Sequence, residues 1–428
     1  MVLGLAVPMT LAYLSTPLLG VVDTAVAGQF GNAALIGGLA VGAIIIDLLF
    51  TTFNFLRSGT TGLVSQALGA GDEKEKQAIL FRALAIAVLS GLIAILLSPL
   101  LLEAGLWFMD PGVAVAEVTS EYFLLRMLSA PFALGNYVML GWLLGLGKSW
   151  KTLALQLLLN GTNIALSIFL GLTLEWGIAG VAIATVIGEA LAFGVGLLVC
   201  WKQLDHSIRP SKKRILNRAA LKRLLGLNAD IMIRSFALLF AFAWFTKQGA
   251  GFGETTLAAN AVLMHFFLIA GYFLDGLATA AEQICGRAIG ANYKEGFWKG
   301  FRLTLLWNSA MAVALALIYL SAGHWLIDLM TTDPEVSSTA NTFLILAAIT
   351  PLTGVLAFQL DGVFIGATWS REMSRMMVIS LMTYLLTLWM LKEPFGNTGL
   401  WLAIHCFLLM RGLTLGIRLP YKASCAFG

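Results

Sequence analysis

Apolar runs of about 20 residues recur along the whole chain, and each is long enough to cross the hydrocarbon core of a bilayer as an α-helix. Hydrophobic residues make up 59% of the sequence and charged residues 12%, against about 25% charged residues in soluble domains. Mean hydropathy is +0.87. These features predict a polytopic membrane protein and exclude a water-soluble globular fold.

The apolar runs divide into twelve predicted spans. Their bounds are residues 3–28, 33–56, 79–102, 122–145, 152–174, 177–201, 231–247, 257–284, 300–320, 343–366, 376–391 and 400–419. The even-numbered loops and the C-terminal end hold all of the 27 basic residues except Arg126, Lys247 and Lys392. By the positive-inside rule, the even loops and both termini are predicted to be cytoplasmic. We expect the protein to lie in the cell (inner or plasma) membrane.

The two halves of the chain resemble each other in sequence. Residues 67–71 match residues 288–292, and Pro131 matches Pro351, 220 residues further on. We therefore predict an all-α polytopic membrane protein with twelve transmembrane helices in two six-helix lobes, related by a pseudo-two-fold axis along the membrane normal. The predicted domains are an N-lobe over residues 1–201, a basic cytoplasmic linker over residues 202–230 and a C-lobe over residues 231–428.

The first span contains one carboxylate, Asp23, among apolar neighbours and six residues after Pro17. A charged Asp deep in a bilayer costs about 2.5–3.5 kcal/mol, so such groups usually have a function. Because Pro17 lacks a backbone N–H and clashes with the preceding turn, we expect the helix to bend there. An ionisable group beside a bend suits a proton-driven conformational change, and a helix-capping Asp near the membrane surface is the alternative.

Other polar residues inside the spans are candidates for binding cargo or relaying protons. They are Asp47, Asn54, Asn136, Asn163, Ser167, Thr185 and Glu189 in the first half, and Asp275 and Asp361 in the second. Asp47 and Asn54 belong to a helically spaced polar stripe, which favours the protein interior or a water-filled cavity over lipid. Asp275 and Asp361 could instead pair with basic residues such as Arg287.

Several function classes find no support in the sequence. The four cysteines and four histidines are scattered without metal-ligand spacing, and no nucleophile–base pair or phosphate-binding loop is present. We therefore predict neither an enzyme nor a metal or cofactor site. The basic segment 202–230 lies beside membrane spans, so we interpret it as a topology and anionic-lipid signal, with no nucleic-acid partner.

Several stretches of the chain resemble the MATE (multidrug and toxic compound extrusion) family, in particular its DinF branch. They are residues 17–26, 60–63, 128–131, 140–145, 230–232, 260–264 and 360–368. The resemblance covers nearly the whole chain. It implies cation-coupled efflux of small amphipathic, often cationic, compounds, and it implies that protonation of Asp23 is linked to bending of the first helix.

The resemblance also implies partners for Asp23 in coupling. Asn163 and Thr185 match the family pattern of the fifth and sixth helices, whereas the position of the family's Asp in the fifth helix is Ser167 here. Whether Asp47 replaces that carboxylate is left open by the sequence.

Three functions fit these observations. The first is H+-coupled antiport of amphipathic or cationic compounds, the second is Na+-coupled antiport by the same fold, and the third is a lipid-precursor flippase. One carboxylate suffices for a proton, whereas a hard cation needs several oxygen ligands at once, so H+ is favoured as the coupling ion. A flippase would need several basic residues inside the membrane, where the sequence places mostly acidic ones. We expect a monomer surrounded by membrane lipids.

Cysteine labelling tests the predicted topology. In a chain without its native cysteines, a cysteine at Asn217 should be labelled only from the cytoplasm, because the flanking segment is strongly basic. A cysteine at Gly112 should be labelled from outside. The reverse pattern would contradict the assignment of twelve spans.

Overall fold

The computed structural model of the chain describes residues 1–30 and 32–428. Residue contacts divide it into two units: an N-terminal unit, residues 11–225, and a C-terminal unit, residues 1–10 and 226–428. The helices that begin before residue 216 are α1 (Val2–Gly28), α2 (Ala33–Thr52), α3 (Phe55–Gly69), α4 (Glu73–Leu96), α5 (Ser98–Met109), α6 (Val113–Met127), α7 (Ala130–Gly145), α8 (Ser149–Leu166), α9 (Gly177–Trp201) and α10 (Lys212–Ile215). The later helices are α11 (Arg218–Ala250), α12 (Glu254–Gly290), α13 (Lys294–Met330), α14 (Pro334–Ala348), α15 (Thr350–Gly366) and α16 (Ser370–Phe427).

The described helices account for twelve spans. Nine helical segments are long and apolar enough to cross a membrane, and two bent pairs add two more: α6 with α7 at 54° and α14 with α15 at 42°. One of the nine, α16, has 58 residues, so as a straight helix it would be about 87 Å long, against about 30 Å for the hydrocarbon core. Its backbone turns at Gly396 (φ 55°, ψ −130°), which makes it two spans. The predicted all-α fold of twelve helices is confirmed.

The boundary between the units falls inside α1 and differs from the predicted one. Val2, Leu5 and Ala6 pack against Leu277 and Ala280 of α12, so the apolar start of α1 belongs to the C-terminal unit. The other boundary lies at residues 225 and 226, within α11. This helix begins at Arg218, well before the predicted start of the seventh span at residue 231.

The first half of the predicted linker is docked on α4 of the N-terminal unit. Arg82 donates to the backbone oxygens of Arg214 (2.9 Å) and Ile215 (3.0 Å). The Arg214 side chain in turn donates to Glu75 (3.1 Å) and pairs with Asp72. Arginines thus tie this segment to the unit through both its backbone and its side chains.

The sequence repeat corresponds to a repeated helix contact. On α7, a Cβ added to Gly141 would lie 2.4 Å from the carbonyl oxygen of Arg57 in α3. On α15, a Cβ added to Gly362 would lie 2.2 Å from the carbonyl oxygen of Ala278 in α12. Both residues of the second contact lie 221 positions after those of the first. Each unit therefore contains the same close backbone approach, which only glycine permits.

Substitution at this contact should destabilise the protein. The Ala278 carbonyl belongs to the α12 backbone and cannot rotate away, so Gly362→Ala should cost about 1–3 kcal/mol of unfolding free energy through overpacking. The control is Gly194→Ala on α9, where nothing lies within 4 Å of an added Cβ. Thermal unfolding in detergent should show a lower midpoint for Gly362→Ala alone. Equal midpoints would contradict the repeated contact.

Candidate functional site

Asp23 lies in a hydrogen-bonded group within the N-terminal unit. The Ser167 hydroxyl donates to Asp23 Oδ1 at 3.0 Å. Ser167 Oγ also lies 3.2 Å from Asn163 Oδ1. A serine has one hydroxyl hydrogen, so Asp23 and Asn163 compete for it. Asn163 Nδ2 donates to Thr185 Oγ1 at 2.8 Å. The structure therefore brings together four of the candidates named from the sequence.

Local helix geometry places these side chains. Asn163 and Ser167 are one turn apart near the end of α8, and the chain continues from Ser167 to Thr173 as a π-helix, a wider turn common at functional sites. On α9, Gly188 faces α8, since a Cβ there would lie 3.4 Å from the Asn163 backbone nitrogen, in ordinary van der Waals contact. Ser167 is 0% exposed and Asn163 1% exposed. The carboxylate thus meets buried, uncharged polar groups.

A second tie joins α1 to α8 on the other side of Pro17. Asn160 Nδ2 donates to Ser15 Oγ at 2.8 Å, and both side chains are buried. Between this tie and Asp23 lies Pro17, which cannot donate to the carbonyl of Tyr13 one turn earlier. The structure shows α1 as one continuous helix through this point, so the bend at Pro17 stays a prediction.

Glu189 and Asn136 form a second cluster around Arg126. The sequence counted Arg126 apart from the cytoplasmic loops, although the predicted span 122–145 contains it. In the structure it is the penultimate residue of α6, at the break before α7. Its Nη2 lies 4.0 Å from Glu189 Oε1, and its guanidinium lies over the Phe50 ring at 5.2 Å. Asn136 Nδ2 donates to Glu189 Oε2 at 2.6 Å. Glu189 is therefore already paired and hydrogen-bonded.

The structure does not join Asp47 and Asn54 to the Asp23 group by hydrogen bonds. Asp47 lies on an accessible face of α2, near enough to Arg126 for an electrostatic interaction but beyond ion-pair distance. Tyr122 lies within electrostatic range of both Asp23 and Asp47. Asn54 sits at the junction of α2 and α3, where its side chain makes no capping bond. Replacement of the family carboxylate by Asp47 stays a prediction.

Asp361 is bound by two arginines in the C-terminal unit. Its Oδ2 accepts from Arg234 Nη2 at 2.9 Å and from Arg411 Nη2 at 2.7 Å. Asp361 is therefore paired with basic residues, which was one of the two alternatives. Its partners are Arg234 and Arg411, whereas the sequence suggested Arg287. With two cations on one oxygen, Asp361 is a poor site for a cationic cargo. Asp275, the other candidate in this unit, is exposed on α12.

Sequence reasoning overlooked three arginines inside helices. The charge count assigned Arg126, Arg234 and Arg411 to loops although the predicted spans contain them, and the structure places them within α6, α11 and α16. A signal was present for Arg411, because residues 407–410 before it and residues 412–413 after it carry no charge. The acidic residues that the sequence emphasised therefore share the membrane-spanning helices with these three arginines.

A family model settles what kind of protein carries these sites. The MatE model matches residues 8–195 and 231–390. The chain belongs to the MatE family. DNA damage-inducible protein F of Escherichia coli is 38% identical to this MATE chain over 413 residues, which cover 96% of the chain and 90% of that protein. The predicted family and its DinF branch are confirmed.

Solved structures agree with this MATE fold. One is an outward-facing multidrug resistance MATE transporter of the MOP superfamily, with a TM-score of 0.91 at 14% identity, covering 99% of this chain and 96% of that one. Another is the MATE transporter VcmN of Vibrio cholerae in its bent form, with a TM-score of 0.91 at 21% identity, covering 99% and 97%. The family consists of multi-pass membrane transporters, and the prediction that the chain is not an enzyme is confirmed.

A double-mutant cycle tests the Arg126–Glu189 pair of this MATE chain. Arg126→Met should cost about 3–5 kcal/mol of unfolding free energy, because it leaves the Glu189 carboxylate buried without its cation. Adding Glu189→Gln should recover most of that loss, since the amide still accepts from Asn136. Unfolding in mixed micelles measures all four proteins. Additive losses would show that the two side chains do not interact.

Proposed function

We propose that this chain is an H+-coupled antiporter that exports small amphipathic compounds, with Asp23 as its coupling group. One observation carries the proposal: Asp23 accepts a hydrogen bond from the neutral Ser167 hydroxyl. No basic nitrogen of residues 1–30 and 32–428 lies within ion-pair distance of Asp23. A carboxylate with neutral partners can take up a proton without breaking an ion pair, unlike Asp361 or Glu189.

Protonation changes the hydrogen bonds of the Asp23 group. The neutral acid attracts the Ser167 hydrogen less strongly, and Asn163 Oδ1, at 3.2 Å from Ser167 Oγ, is then the better acceptor. The segment of α1 after Pro17 is released, while the Ser15–Asn160 bond still holds the segment before it. Uptake of one proton is in this way converted into movement at Pro17, where the helix lacks a backbone bond.

The driving force matches the interaction that must be broken. A hydrogen bond to a charged group contributes about 1.5–3 kcal/mol. One pH unit supplies about 1.4 kcal/mol per proton, and a potential of 100 mV adds about 2.3 kcal/mol per charge.

The bent form reported for the Vibrio cholerae transporter supports a fold that can bend, and the outward-facing multidrug resistance transporter supports export by this fold.

The hydrogen bonds favour H+ over Na+. The Asp23 group holds a single carboxylate, which suffices for a proton. A hard cation needs several oxygen ligands at once, and Asn163 Nδ2 already donates to Thr185 Oγ1, one of the oxygens that could serve. For the membrane context, we propose a monomer in the cell membrane with both termini cytoplasmic.

A lipid-precursor flippase is the second candidate function. Arg234 and Arg411 place two guanidinium groups inside the C-terminal unit. Binding of a phosphate would require such groups.

Transport by Asp23→Asn tests the proposal. The amide keeps the size of the side chain but cannot titrate, so efflux of ethidium from proteoliposomes driven by a pH gradient should fall to background. The control is Asp328→Asn, an exposed carboxylate that accepts a bond from Ser337 and should leave efflux unchanged. A separately imposed Na+ gradient should drive no efflux.

Two results would overturn proton coupling at Asp23. The first is wild-type efflux by folded Asp23→Asn protein under a pH gradient. The second is efflux that follows the Na+ gradient and ignores the pH gradient.

A further inference from the structure

Arg234 and Arg411 of the C-terminal unit have more hydrogen-bond donors than the Asp361 carboxylate accepts from. Arg411 has 2% of its side chain exposed, Asp361 8% and Arg234 17%. Both guanidinium groups reach the same carboxylate oxygen through Nη2. The three side chains come from α11, α15 and α16 and meet in the interior of one unit.

Three other nitrogens of these arginines lack hydrogen-bond partners among the described residues. Arg411 Nε and Nη1 and Arg234 Nε are buried and have no hydrogen-bond partner among the described residues. Buried donors are nearly always satisfied, because each one left unpaired costs its full desolvation. The trio carries two positive charges against one negative. Asp275 also acts on Arg411 electrostatically, but its own side chain is exposed on α12.

The Arg411 guanidinium lies over two aromatic rings. Its Cζ lies 5.5 Å from the centre of the Phe407 ring and 5.9 Å from that of Phe358. The guanidinium nitrogens form a planar fork of donors, which suits carboxylate, sulfonate and phosphate oxygens. Phe407 is fully buried, whereas the partly buried Phe358 offers an apolar surface beside the charge.

We infer that Arg234, Arg411, Phe358 and Phe407 form a binding site for the acidic group of an amphipathic molecule, with Asp361 holding the arginines in its absence. The acidic group is a carboxylate, sulfonate or phosphate. The Phe358 ring contacts the apolar part, and the buried Phe407 ring supports the Arg411 guanidinium. The partly exposed Arg234 side chain provides the approach. This inference concerns binding alone and does not depend on proton coupling at Asp23.

Asp361→Asn separates a binding site from a purely structural tie. If Asp361 competes with a ligand for the guanidinium groups, the neutral amide frees them, and affinity for an acid should rise severalfold. If the trio only joins three helices, the same change leaves two buried cations unpaired, so stability falls and no affinity is gained.

Calorimetric titration of the full chain in neutral detergent measures this affinity. The probe is naphthalene-1-sulfonate, and its matched cation is 1-naphthylmethylammonium, whose binding should not depend on Arg411. Arg411→Gln should weaken sulfonate binding at least tenfold, and Arg411→Lys should recover only part of it because the fork of donors is lost. The control Arg418→Gln, a half-exposed arginine paired with Glu372, should bind as the wild type does.

The binding and stability results together decide whether the site exists. Loss of binding in folded Arg411→Gln with a gain in Asp361→Asn supports the site. Competition by dihexanoylphosphatidic acid then assigns it to lipid head groups, and failure to compete assigns it to small acids. Absence of sulfonate binding to the wild type, an equal loss in Arg418→Gln, or lowered stability of Asp361→Asn without higher affinity would each overturn the inference. If Arg411→Gln does not fold, Arg234→Lys and Asp361→Asn decide.

Discussion

A carboxylate in an apolar interior must be paired, hydrogen-bonded or neutralised, and the chain meets this requirement in three ways. Asp361 is bound by two arginines, Glu189 by Arg126 and an amide, and Asp23 by a neutral hydroxyl. The partner determines what each carboxylate can do. An arginine fixes the charge of the carboxylate it pairs with, whereas a hydroxyl tolerates either protonation state. The proposed coupling function belongs to Asp23 for this reason.

The N-terminal unit combines close backbone contacts with a first helix that is held by polar ties. The backbone of α7 lies against that of α3 at Gly141, an approach so close that even a methyl group has no room. Two polar ties flank Pro17 on α1, at Ser15 and at Asp23. Beyond Asp23, Val26 and Ala27 pack in an apolar cluster with residues of α2, α6 and α9. In the proposed mechanism, loss of the second tie changes how this end of α1 packs, while the contact at Gly141 stays as it is.

The sequence was sufficient for the span count, the family and the grouping of Asp23 with Asn163, because each depends on local apolar length or on a motif. It was insufficient for Arg234 and Arg411. Counting charges by loop assigned both arginines to loops although the predicted spans contain them. Their pairing with Asp361 depends on which helices pack together, which the sequence does not show. The sequence also did not predict that the start of α1 packs against α12 of the C-terminal unit. An apolar helix face does not show which helix it will contact.

The distance between spin labels at Val21 on α1 and Leu157 on α8 tests the central claim most directly. Both side chains are exposed, at 66% and 49%, and both lie in the N-terminal unit. The distance distribution in the wild type should change between pH 8 and pH 5, as protonation of Asp23 releases the end of α1. Asp23→Asn should give the low-pH distribution at both values. An unchanged distribution in the wild type, or a wild-type shift in Asp23→Asn, would contradict proton control of this helix.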